Sequence, residues 1–355
     1  TIHMCMHMVM CIMCAHLTSA LLVRPPPLLV RPPAPRTRSA AAMALEDSPV
    51  VIVPGFGNAD IDYKTPLGQD ADVGLESVLA RRGFTDVRTL PCERVEWARV
   101  ILGLLAAIVW RPWATPEGPA YSWFIDRLRG AVEEAHAQSG GKKVLLVAHS
   151  AGGWLSRAAL SDGGAWRGGA AAPAELVSGL VTLGAPHFPP PEGTPDMTQG
   201  VIRAVNDDYP GAFLAREGIA YVTVGGDAIV GDDSKAQSPA AASVDNVYAM
   251  RGEGSAARVA FNSYLMTCGR GDVTGDGVVP LEWTLLEGAR QVVLPGVLHS
   301  INEAGTTLPT DRWYGSEQVV DRWLGAVRQE VAAETTNPLE EAVSQMRRLV
   351  GLDAL

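Results

Sequence analysis

The sequence is poor in cysteine, in acidic residues near its start and in long apolar runs. Five cysteines occur among 355 residues, and Cys5, Cys11 and Cys14 fall within the first fourteen. Only Cys92 and Cys268 remain in the body, too few for a disulfide framework, so free thiols or at most one bridge are expected. Cys11, Cys14 and His16 lack a fourth ligand nearby, and no metal site is expected there. A surplus of positive charge is also missing. The net charge is −10, which argues against nucleic acid as a partner, since phosphate binding needs a basic face. The apolar stretch from Met8 to Val23 is interrupted by His16, Thr18 and Ser19. It falls short of the ~20 residues of a membrane span.

No Asp or Glu precedes Glu46, while Arg24, Arg31, Arg36 and Arg38 are interspersed with prolines ahead of an alanine cluster. Acid-free, arginine-bearing leaders of this kind are typical of organelle transit peptides. Residues 1–45 are therefore expected to be a disordered, removable leader, with Met43 as an alternative start.

Residues 46–335 carry the body. At 47% hydrophobic residues overall, the chain can bury a large core. Short apolar strands are expected at Pro49–Val53, Val87–Leu90, Val144–Val147, Leu176–Leu183, Ile219–Val224 and Gln291–Leu294. Helical patterns run from Val73 to Arg82, from Tyr121 to Gln138 and from Glu317 to Val331. In the second of these, Phe124, Leu128, Val132 and Ala135 share one face, and Gly140-Gly141 ends it. Strands alternating with helices imply βαβ units, hence an α/β fold with a doubly wound, mostly parallel sheet flanked by helices.

Three segments break the alternation: Trp97–Trp123 with its apolar run Val100–Trp110, Phe188–Ala215, and Ala228–Leu265. Insertions at the ligand edge of such a sheet form lids or substrate walls. The apolar run is either an ordinary buried helix or a lid-like surface for peripheral membrane contact. Residues 336–355 form an amphipathic pattern, with Asn337 as cap, Pro338 in the first turn, and Leu339, Val343, Met346 and Val350 on one face.

The densest chemical signal is Leu145-Leu146-Val147-Ala148-His149-Ser150-Ala151-Gly152-Gly153. An apolar strand ends abruptly in a serine flanked by small residues, and a helix-compatible segment follows. That is the form of a strand–turn–helix elbow, whose tight turn strains the serine backbone and lifts its hydroxyl into a cleft. Gly152 satisfies the usual G-x-S-x-G spacing, and Ala148 replaces its first glycine.

A serine hydroxyl needs a base to become a nucleophile, and histidine suits that task near neutral pH. Of the seven histidines, His3, His7 and His16 lie in the leader, leaving His136, His149, His187 and His299. His149 should point away from its neighbour Ser150. His187 is expected to shape the pocket or bond locally. His299 follows the last strand and leaves room for an acid between itself and the serine, the chain order of this elbow chemistry. Asp276, in Gly275-Asp276-Gly277-Val278-Val279-Pro280, is the preferred acid, with Asp227 the alternative and Asp272 third. A calcium loop over the same segment fails, because Thr274 and Trp283 fall where ligands are required. For the oxyanion, backbone N–H donors are expected from Ala151 and from Phe56 in Pro54-Gly55-Phe56-Gly57.

With these residues together, the stretch from about Pro49 to Ala332 resembles an α/β-hydrolase of the lipase and esterase type. Val53–Gly57, Ala148–Gly153, Leu183–His187 and Gly275–Pro280 carry the likeness. The last two are similar to segments of lipases acting on acylglycerols or phospholipids, including the lecithin–cholesterol acyltransferase group and inositol-deacylase-like proteins. With the leader, the whole is similar to plant or algal plastid hydrolases, which implies a plastid (chloroplast) address, with secretion or another organelle as the alternative. The resemblance implies hydrolysis of a small-molecule or lipid ester through an acyl-serine, with Ser150, Asp276 and His299 as the triad and no cofactor. Pro54 departs from the family's usual histidine before the oxyanion glycine. An acyltransferase with the same triad, or a non-catalytic ligand-binding protein on the same fold, are the alternatives.

Overall fold

The computed structural model describes residues 45–110, 115–161, 172–234, 253–304 and 306–335. All but the last residue of the expected leader, and the whole tail pattern over 336–355, lie outside them.

Among the described residues there are eight strands: β1 (Val50–Val53), β2 (Val87–Thr89), β3 (Val144–His149), β4 (Val177–Leu183), β5 (Ala220–Gly226), β6 (Ile229–Val230), β7 (Thr274–Gly275) and β8 (Arg290–Leu294). The helices are α1 (Ile61–Lys64), α2 (Leu75–Arg81), α3 (Ala98–Trp110), α4 (Ser122–Gln138), α5 (Ala151–Leu160), α6 (Pro173–Leu176), α7 (Val201–Asp208), α8 (Glu253–Cys268), α9 (Leu281–Thr284) and α10 (Glu317–Thr335). Six strands form one sheet in the order β2-β1-β3-β4-β5-β8, every neighbouring pair parallel. β6 and β7 form a small antiparallel ribbon outside it.

Side chains alternate across the sheet with the two-residue period of a strand. Val51, Val53, Leu146, Leu180 and Tyr221 face one core with Leu104 of α3 and residues of α4, α5 and α7. Val50, Ile52, Leu145, Val147, Val181 and Val222 face the other, with Leu75, Val78 and Leu79 of α2 and Val320, Trp323 and Val327 of α10. β1, β3, β4 and β5 are buried along their whole length, as strands covered by helices on both faces must be.

The chain winds from β1 outward to β2, then returns past β1 to lay down β3, β4, β5 and β8 in the opposite direction. The reversal lies between β1 and β3. At such a point the loops leaving the carboxyl ends of the two strands diverge and open a crevice. The loop after β1 holds Phe56, and the turn after β3 holds Ser150.

The helix expected from Val73 begins at Leu75, after a 3-10 turn over Ala71–Val73. The apolar run Val100–Trp110 lies in α3, where Val100 and Leu104 are buried and Leu102 is 66% exposed. Among the described residues no helix is long and apolar enough to cross a membrane. Cys92 and Cys268 are free and buried, and burial pushes the Cys92 thiol up to about 12.

Candidate active site

Ser150 sits where β3 meets α5, with φ 53° and ψ −129°. A non-glycine residue there is strained by about 1–3 kcal/mol. The turn is held by Ser150 N–H donating to the Leu183 carbonyl and Gly153 N–H donating to the Ser150 carbonyl, both at 2.9 Å. Close approach explains the glycines that follow. A Cβ on Gly152 would come within 2.7 Å of the Val53 carbonyl oxygen, and one on Gly153 within 2.4 Å of the Ala185 Cβ. Ala148 is fully buried in β3.

His299 lies in the loop after β8. Its Nε2 is 3.0 Å from Ser150 Oγ, and its Nδ1 is 2.8 Å from Asp276 Oδ2. The His299 N–H also donates to the Asp276 carbonyl at 2.9 Å, so the two loops are tied through backbone as well as side chain. Asp276 is 1% exposed and every hydrogen bond it accepts is internal. Oδ1 receives the N–H groups of Val278 and Val279 at 3.0 and 2.7 Å. Oδ2 receives the Tyr314 hydroxyl at 2.8 Å in addition to His299. Gly277, with φ 99°, lets the turn close, and its N–H donates to the Tyr264 hydroxyl. Gly184 serves the same carboxylate from β4: with φ 59°, a Cβ there would meet Asp276 Oδ2 at 2.6 Å. The glycine of Leu183-Gly184-Ala185-Pro186 thus leaves room for the acid.

The loop after β1 lies against the serine. A Cβ on Gly55 would be 2.7 Å from the Ser150 Cβ. Gly55 N–H is taken by the Tyr63 hydroxyl. Among the described residues, the N–H groups of Phe56 and Ala151 have no backbone acceptor. Ala151 is the first residue of α5, where helix geometry supplies no partner and the macrodipole favours negative charge. The Phe56 ring packs on Trp97 at 5.0 Å, and Trp97 on Phe124 at 5.1 Å; Trp97 and Phe124 are fully buried core residues, so the half-buried Phe56 ring lies over the core.

The other candidates lie elsewhere. Asp227 accepts the Gly296 N–H at 2.8 Å. Asp272 is exposed beside Arg270. His136 faces the Lys142 carbonyl. His187 is fully buried with Nε2 at 3.0 Å from Thr182 Oγ1, and burial, reinforced by Arg157, holds its pKa well below 6.5. Among the described residues no cluster of His, Cys, Asp and Glu could hold a metal ion.

Two polar residues around the site, Tyr314 and Tyr63, escaped the sequence reading, as did the partners of His149. Tyr314 lies under Asp276. His149 places its ring 4.8 Å from that of His299, and Tyr63 bonds to His149 from α1. The available signal was His149 itself, a polar residue ending a buried apolar strand, which must find hydrogen-bond partners inside the protein.

The parallel sheet, its reversal between β1 and β3, and the strained elbow at the crevice define an α/β-hydrolase fold. No protein family model matches the chain, and no curated protein matches it. Solved structures share part of its path. Aspergillus fumigatus lipase B aligns at 14% identity and a TM-score of 0.31 over 52% of this chain, which spans 38% of that protein's length. A candidate lipase from Sulfolobus solfataricus aligns at 16% and 0.36, over 79% of this chain and 86% of its own. A protein of unknown function from Agrobacterium tumefaciens, a candidate alpha/beta hydrolase, aligns at 13% and 0.32, over 86% and 87%. The strand order and the elbow define the fold class independently of these likenesses.

Proposed function

We propose that this chain is a serine hydrolase of carboxylic esters with apolar, lipid-like acyl groups. The observation that carries the proposal is the continuous relay from Ser150 Oγ through the His299 ring to Asp276, with steps of 3.0 and 2.8 Å, at a strained elbow. In this reading Ser150 Oγ attacks the ester carbonyl carbon while its proton passes to His299 Nε2. Asp276 holds the ring by accepting Nδ1–H and stabilises the imidazolium. The carbonyl oxygen takes up the negative charge and is received by the N–H groups of Phe56 and Ala151, each contributing roughly 3 kcal/mol to the transition state. Collapse expels the alcohol, which takes its proton from His299. Water then attacks the acyl-serine with His299 again as base, releasing the carboxylic acid and restoring Ser150.

The half-buried ring of Phe56, which follows the Gly55 that lies against Ser150, supports an apolar acyl group. Leu102, 66% exposed on the insertion Trp97–Trp123, and Val95, 64% exposed just ahead of it, support contact with a lipid surface. Fluorophosphonate labelling followed by peptide mapping tests the assignment. Ser150 should carry the label and hydrolyse p-nitrophenyl esters, and Ser150→Ala should abolish both in a folded protein. Turnover by the Ser150→Ala chain would transfer the nucleophile's role to another residue.

A further inference from the structure

Tyr63 and His149 are both buried, and they join two loops far apart in the chain. The Tyr63 hydroxyl accepts the Gly55 N–H and the Asn58 side-chain amide, both at 3.0 Å, and stands 2.9 Å from His149 Nδ1. His149 Nε2 lies 3.0 Å from the backbone carbonyl oxygen of His299. Counting protons fixes the direction of every bond. A phenol has one proton and two lone pairs. Gly55 and Asn58 occupy the lone pairs, so the phenol proton goes to His149 Nδ1. His149 is then neutral, with its proton on Nε2, and donates it to the His299 carbonyl.

From these bonds we infer that Tyr63 and His149 are positioning residues for the esterase reaction, a rigid bridge setting the oxyanion loop at Gly55-Phe56 against the loop that carries His299. This rests on the esterase reading of the site. Its physical basis is the tolerance of acyl transfer, in which the oxyanion donors and the base must be placed together relative to one serine. A misplacement of about 1 Å can cost about a hundredfold in rate. The loop after β1 and the loop after β8 share no backbone hydrogen bond among the described residues, so this bridge is a direct polar link between them. Tight packing reinforces it: a Cβ on Gly55 would lie 3.4 Å from His149 Nδ1.

The bridge works in one protonation state. The rings and titratable groups facing His149 are Tyr63, His299, Trp313 and Tyr314, with no carboxylate among them. A proton on Nδ1 would meet a phenol oxygen whose lone pairs are both in use. Burial, with the neighbouring His299 imidazole, holds the His149 pKa well below 6.5.

Two measurements on the full chain test the bridge. The first is independent of activity: 15N–1H correlation spectra of the imidazoles should show His149 as the neutral Nε2–H form from pH 5 to 9. An Nδ1–H form, or titration within that range, overturns the inference. The second is the rate constant for phosphonylation of Ser150 by a fluorophosphonate. It should fall tenfold or more, order of magnitude, in Tyr63→Phe and in His149→Leu. His149→Gln should recover much of the loss, because its side-chain amide can still donate to the His299 carbonyl. Wild-type labelling with Tyr63→Phe reacting at an undiminished rate, or equal losses in His149→Leu and His149→Gln, would sink the bridge and leave the esterase reading intact. An unlabelled wild-type serine would instead defeat the esterase reading and with it the role in that reaction, whatever the spectra show of the bonding.

Discussion

Tyr314 and His299 share one oxygen of Asp276. Each reaches Oδ2 at 2.8 Å, while Oδ1 is filled by two backbone N–H groups. The carboxylate therefore has one place left for the imidazole and is kept there by its own turn. The Tyr314 hydroxyl is also held, accepting the Gly226 N–H at 2.8 Å. Tyr314→Phe removes one of four donors to the carboxylate and strands a buried N–H. We expect a stability loss of about 1–3 kcal/mol and a several-fold fall in kcat, with KM nearly unchanged. Urea unfolding and p-nitrophenyl ester kinetics measure the two effects separately. A variant as active as wild type would show that two backbone donors suffice to orient Asp276.

The two candidate acids differ in what they hold. Asp276 orients His299, whereas Asp227 closes a turn through Gly296 N–H. Asp276→Asn should cut kcat by a factor of roughly 10⁴, because the amide favours the wrong imidazole tautomer. Asp227→Asn should leave kcat within a few-fold, its cost appearing in thermal stability. The reverse order of the two rates would move the acid's role to Asp227.

Much of the fold was legible because it follows from local patterns. Apolar runs bounded by glycine and proline marked the strands of the main sheet. Small residues around Ser150 marked the elbow, and the glycines around Asp276 marked its turn. What escaped depends on contacts across the chain. Tyr63 and His149 are 86 positions apart, and Tyr314 and Asp276 are 38 apart. Nothing near a buried tyrosine tells which distant group its hydroxyl meets. β6 and β7, two residues each, are too short to leave a two-residue alternation, so no pattern marks the ribbon beside Asp276. Gly184 was visible only as part of a motif, and its reason, the closeness of Asp276, is three-dimensional.

Acid should weaken the fold through its buried histidines first. His149 and His187 are buried and held neutral, with pKa values well below 6.5. In the unfolded chain both titrate at the ordinary value. Below pH 6.5 the unfolded state binds more protons, so stability falls as pH falls. The slope should approach about 1.4 kcal/mol per pH unit for each histidine. Glu96 and Glu317 act lower: Arg127 holds Glu96 down to about 2, and Arg82 lowers Glu317. Their stabilising contributions are lost only as pH drops below the ordinary glutamate range. Urea unfolding at pH 7, 6 and 5 should show the decline, and His187→Gln should shallow it by about one proton. An unchanged slope in that variant would mean that His187 takes up its proton in the folded state.

Strain at Ser150 yields a last expectation. Ser150 holds φ 53° and ψ −129°, a conformation that costs a residue with a Cβ about 1–3 kcal/mol. Ser150→Ala keeps the Cβ and hence the strain, and should leave stability close to wild type. Ser150→Gly releases the strain but adds roughly 0.4–1 kcal/mol of unfolded-state entropy. The balance favours the glycine chain by about 1 kcal/mol. Both variants lack the hydroxyl, so both should be inert to fluorophosphonate, and differential scanning calorimetry should rank the glycine chain above the alanine chain. If the two melt together, the strain at the elbow is no larger than the entropy cost of the glycine. If the order is as expected, stability is forgone at this one turn to hold a hydroxyl in the crevice between β1 and β3.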